Sequence, residues 1–209
     1  MPKFRLAMLG LAGLVLAGCG SVHPGAAATI DGVRIPLDDV DEIARVYCLA
    51  SATQGAGSSL AGVDMIGLRR QSVADLMAGE LADRIAEERG YEIELPSIPA
   101  ADRDQLAEMF GDDIDAAMEL IRRNQRTTQI AIEMGREAEP DVEDENQLVQ
   151  IGQQQLAESI ADRDVSVDPR FGLDETLQQV GDTGSLSVAG LSLDATAVED
   201  RPAALQCTA

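Results

Sequence analysis

The sequence predicts a mostly α-helical fold with a small β element made from the two chain ends. Apolar residues recur at helical spacing over several long stretches. Aromatics are scarce: with no Trp, 2 Tyr and 3 Phe, the core is left to Leu, Ile, Val, Met and Ala. Strand-like patterning is confined to Ala28–Ile35 and to the chain beyond Asp164.

The N-terminus reads as an export signal. Lys3 and Arg5 precede an uncharged run from Leu6 to Ala17. That run is shorter than the roughly 20 residues needed to span a bilayer core, and has the length of a signal-peptide apolar region. It ends in Leu16-Ala17-Gly18-Cys19, which resembles the bacterial lipobox. The resemblance implies cleavage after residue 18 and acyl chains, such as palmitate, on Cys19. Residues 19–27 then read as a tether and residues 28–209 as the folded domain. Lipid on Cys19 would place that domain on the extracytoplasmic face of the cell membrane without a spanning helix.

Ala28 to Ile35 reads as a short hairpin around an Asp31-Gly32 turn. Pro36 opens the first helix, with Asp38, Asp39, Asp41 and Glu42 at its positive end. Leu37, Val40, Ala44, Tyr47, Cys48 and Ser51 share a face. Residues 54–67, with several Gly and Ser, read as a loop. A second helix is predicted over 69–89: Val73, Met77, Leu81 and Ile85 recur every fourth residue, and Gly90 ends it. Pro96 and Pro99 break the chain. A short helix over 101–110 and a long one over 112–138 follow. Pro140 separates these from a further helix over 142–163, with Val149, Gly152, Leu156 and Ile160 on one face. Val165 and Val167 alternate with polar residues. Leu186, Val188, Leu191 and Leu193 read as weak strands or extended chain.

Charge and composition exclude several functions. Removing Lys3 and Arg5 from the 16 basic residues leaves 14 against 37 acids, a net charge of −23 after cleavage. So negative a surface argues against nucleic acid and anionic lipid heads as direct partners. The single His, His23, falls in the tether, so a Ser-His-Asp or Cys-His arrangement has no base inside the domain. Cys48 and Cys207 alone cannot close a zinc site. The acid clusters at Asp38–Glu42, Asp112–Asp115 and Asp141–Glu145 sit at predicted helix starts and form no calcium loop. Gly55-Ala56-Gly57-Ser58-Ser59-Leu60 ends in Leu and follows no strand, so it is not a dinucleotide loop. The expectation is a protein with no catalysis, cofactor or metal. The polar stretch Arg122, Arg123, Asn124, Gln125 and Arg126 reads as an exposed part of the long helix. Its functional alternative is a polar lining, or Arg pairs that hold acidic helices.

Two segments resemble the SurA-type N-terminal chaperone domain. One is the strand, Asp-Gly turn and helix of Ala28–Asp41. The other is Val165-Ser166-Val167-Asp168-Pro169-Arg170-Phe171-Gly172, which resembles the end of that domain's closing helix. The resemblance covers about residues 28–172 and implies a SurA N-terminal-like helical fold that cradles unfolded or nascent exported proteins. A prolyl-isomerase domain inserted before the closing helix in many members has no counterpart here. The implied function is a membrane-anchored chaperone or folding factor. The alternative is a structural or adaptor lipoprotein holding one specific folded partner. Met77, Leu81, Met118 and Met134 are the candidate client-binding residues, because Met accommodates varied side chains; the competing reading is ordinary core. Cys48 and Cys207 form an even pair in an oxidising compartment, which favours a disulfide.

Overall fold

The computed structural model describes residues 24–54, 64–180 and Cys207. Its described residues form five α-helices and one three-stranded sheet. Strands β1 (Ala26–Ile30) and β2 (Val33–Pro36) form an antiparallel hairpin. Asp31 and Gly32 turn it with φ of 48° and 82°, the left-handed pair that a two-residue hairpin loop requires. A third strand, β3 (Val165–Val167), pairs with the other side of β1, with Ala28 opposite Val167 and Ile30 opposite Val165. The sheet order is β2-β1-β3, so β1 is central and every residue in it is buried.

Two expectations shift here. Ala26 and Ala27 belong to the buried centre of the sheet rather than to a tether. Their small side chains let β1 lie close to the helices, and a register irregularity between Ala26 and Ala28 marks where the strand enters. The segment Val165–Gly172 is not the end of a helix. Its two valines are β-branched and alternate, and β1 offers an open edge to pair with. Asp168 then accepts from the Arg170 N–H at 3.0 Å and opens a 3-10 turn over Pro169–Phe171.

Helix α1 (Leu37–Gln54) follows the hairpin directly. Helix α2 (Met65–Arg89) begins four residues earlier than its apolar period implies, because Asp64 caps it: the carboxylate accepts from the Ile66 N–H at 3.0 Å. It ends in a Schellman motif. Gly90 is left-handed at φ 69°, its N–H donates to the Glu87 carbonyl, and the Tyr91 N–H donates to the Ala86 carbonyl. Helix α3 (Ala100–Phe110) and a single 3-10 turn lead into α4 (Ile114–Ala138). Helix α5 (Glu145–Ser159) starts later than expected, because Asp144 is its cap and accepts from the Gln147 N–H at 2.9 Å. Residues 142–144 therefore stay outside the helix.

Helices α4 and α5 run antiparallel in close contact, and two glycines permit it. A Cβ on Gly152 would sit 1.8 Å from the Ala131 carbonyl oxygen; one on Gly135 would sit 2.2 Å from the Leu148 carbonyl oxygen. Both neighbours are backbone, which cannot move aside. The core joins Ile30 and Ile35 of the sheet to Val73, Met77, Leu81 and Ile85 of α2, Ile130 and Met134 of α4, and Leu156 of α5. Ile30 is fully buried, which for such a side chain stabilises by about 1.5–3 kcal/mol.

Polar contacts fix the hairpin to the helices. Asp31 accepts the Asp164 N–H at 3.0 Å and faces Arg163 at 3.3 Å and Arg84 at 3.6 Å. Arg163 also forms a two-pronged pair with Glu88 at 2.8 and 2.9 Å. Glu88 is held below its ordinary range first by these hydrogen bonds. Cys48 on α1 is bonded to Cys207, with their Cα atoms 5.5 Å apart.

Candidate functional site

An open groove of about 470 Å³ lies between α2, α4, α5 and the segment 176–178. Its size falls in the range of about 300–1,000 Å³ usual for ligand sites. From α2 come Ala74, Asp75, Ala78 and Leu81, and from α4 come Asn124, Thr127 and Thr128. Gln153, Leu156 and Ala157 of α5 and Ile160 close the third side. The helical periods explain this lining. Positions 74, 78 and 81 share one face of α2, and positions 153, 156, 157 and 160 share one face of α5 and its final turn. Alanines on facing helices leave the space that larger side chains would fill.

The end of the groove is built by Thr176, Leu177 and Gln178. Asp174 accepts from the N–H groups of Thr176 and Gln178 and from the Thr176 hydroxyl, at 2.7 to 2.9 Å. These bonds, the Thr176 side chain's first, hold its carboxyl below the usual range. They also hold Leu177 at φ 61°, an unusual conformation for a leucine.

Among the described residues, Asp75 is the one ionisable residue lining the groove. The Tyr47 hydroxyl donates to its Oδ2 at 2.6 Å and Gln71 gives a further hydrogen bond. Burial raises the Asp75 carboxyl above its ordinary range, although those two hydrogen bonds oppose the shift. Burial and the neighbouring Asp75 charge raise the Tyr47 phenol, while a hydrogen bond with Asn124 opposes them. A phenol held so firmly protonated is no nucleophile; the pair ties α1 to α2 at the rim. Among the described residues no three His, Cys, Asp or Glu side chains gather as metal ligands.

Of the four candidate client-binding residues, Met77, Met118 and Met134 do not line this groove. Met77 and Met134 are 0 % exposed and belong to the core, where their side chains fill the space between helices. Leu81 is the exception: it is buried in the core and also lines the groove. Met118 is buried and lines a separate cleft beneath Leu95–Ile98. Every fourth residue on α2 marks the face turned to the core, not the face left open beside it. The polar stretch of α4 is likewise more than an exposed surface. Arg126 pairs with Asp83 of α2, Asn124 lines the groove, and Arg123 lies over Gly79. The interruption in the apolar stripe was the sequence signal for this wall. Cys19 and His23 lie outside the described residues.

The chain matches no protein-family model, and neither a curated protein nor a solved structure proved similar to it.

Proposed function

We propose that this chain is an extracytoplasmic chaperone or folding factor, tethered to the membrane through lipid on Cys19. In this reading the groove between α2, α4 and α5 takes apolar segments of unfolded exported proteins, without catalysis or cofactor. The observation that carries it is the lining: Leu81, Leu156, Ile160 and three alanines form an apolar floor, and Asn124, Thr127, Thr128 and Gln153 offer polar partners to a backbone. No helix among the described residues is long and apolar enough to cross a membrane. The finer fold reading, a SurA N-terminal-like domain, draws support from the hairpin that runs into α1. The second motif, now strand and 3-10 turn, lends it none.

The net charge, −21 for the whole sequence and −23 once residues 1–18 are removed, supplies long-range attraction for basic clients. The purified protein should slow aggregation of an unfolded basic protein more than of an acidic one. That difference should shrink toward about 0.5 M salt, where the Debye length falls to a few ångströms. Failure on both clients at every salt, with the protein folded, would refute the chaperone reading and leave an adaptor that binds one folded partner.

A further inference from the structure

A second cleft, of about 230 Å³, lies on the α3–α4 side of the molecule. Leu95, Pro96, Ser97 and Ile98 overhang it, Arg103 of α3 flanks it, and Met118, Arg122 and Gln125 of α4 form its base. Three features of this cleft are unusual for this protein. Leu95 is one of two large apolar residues exposed among the described residues. Both arginines are weakly engaged among the described residues of a chain so rich in acids: there Arg103 donates to the Ile98 carbonyl, at 3.2 Å, and Arg122 meets Glu119 at 3.8 Å. Finally, Gln125 Oε1 is buried and accepts no hydrogen bond, a costly state for a polar atom.

We propose that this cleft binds the C-terminus of a polypeptide that ends in an apolar residue. The two guanidinium groups match a carboxylate, which arginine grips through paired N–H donors. Met118, Leu95 and Ile98 receive the last side chain, and the volume suits one residue rather than a drug-sized ligand. Gln125 Oε1 then accepts a backbone N–H of the bound chain. A fatty acid offers the carboxylate and the apolar tail but no such donor, so the orphan acceptor favours a peptide. Asp115 and Glu119 share the adjoining depression with Arg103, Met118 and Arg122, and bias the carboxylate toward the Leu95 side. This site is separate from the groove between α2, α4 and α5 and stands whether or not that groove holds clients.

Calorimetric titration of the purified protein tests it with three probes: a hexapeptide ending in Leu with a free carboxylate, the same peptide amidated, and octanoate. The free-acid peptide should bind, and amidation should weaken it by roughly tenfold or more, the loss expected for charge-assisted hydrogen bonds. Octanoate should bind more weakly than the free acid. Arg103→Gln and Arg122→Gln together should bring the free acid down to the affinity of the amide. Equal affinity for acid and amide on the parent protein would overturn the proposal. So would octanoate binding as tightly as the peptide, or undiminished binding by the double variant.

Discussion

Asp75 holds a carboxylate between the Tyr47 phenol and an open groove, and its environment sets a pH dependence. Burial raises its folded value above the ordinary 3.8, so the folded state binds the proton more tightly than the unfolded chain. That contribution is fully present below the unfolded value and is lost as pH rises through the folded one. Asp75→Asn keeps an acceptor for Tyr47 but does not titrate. Its stability relative to the parent should therefore improve as pH rises from about 4 to 7 in parallel urea unfolding. A difference flat with pH would contradict the assigned cause. None of this was legible in the sequence, where Asp75 is one acid among 37; the shift comes from burial in the folded chain, against which the Tyr47 hydrogen bond, from 28 residues upstream, works. Asp31 teaches the converse. The sequence shows it as a turn residue, and the structure adds the charge pairing with Arg84 and Arg163.

The pairing of α4 with α5 rests on Gly135 and Gly152, whose absent side chains let two backbones touch. Gly152→Ala places a methyl group against the Ala131 carbonyl and forces the helices apart. Overpacking of this kind costs about 1–3 kcal/mol, and here the fixed backbone neighbour argues for the upper end. Gly79 offers the contrast, since an added Cβ there meets side chains rather than backbone, Arg123 at 3.3 Å and Thr127 Oγ1 at 3.7 Å. Gly79→Ala should be neutral or gain up to about 1 kcal/mol from helix propensity. Denaturant midpoints of the two variants check both, and equal effects would refute the crossing argument. Helix order and most boundaries follow from apolar period, Gly90 and Pro140. The alternation of Val165 and Val167 likewise marked β3, whereas the starts of α2 and α5 do not follow from the pattern, because the side-chain caps Asp64 and Asp144 decide them.

At the scale of the molecule, Cys48–Cys207 closes a loop over a separation of 159 residues and pins Cys207 to α1. Cys207→Ser should lower stability by about 2–4 kcal/mol, since a crosslink mainly restricts the unfolded chain. An unchanged midpoint under non-reducing conditions would contradict that weight. Anchoring is tested by Cys19→Ala, which should release the protein from membranes or leave it uncleaved; a cleaved, membrane-bound variant would refute the lipobox reading. The pairing partners were readable from cysteine arithmetic, whereas the groove was not: it depends on which alanines face one another across three helices. The central claim is that this groove holds unfolded clients, and blocking it tests that most directly. Ala157 is exposed and lines the groove, so Ala157→Trp fills the space without disturbing the core. The account predicts that the variant keeps the parent's melting temperature yet loses most of its protection of an unfolded basic protein against aggregation. Undiminished protection by a folded Ala157→Trp variant would contradict it.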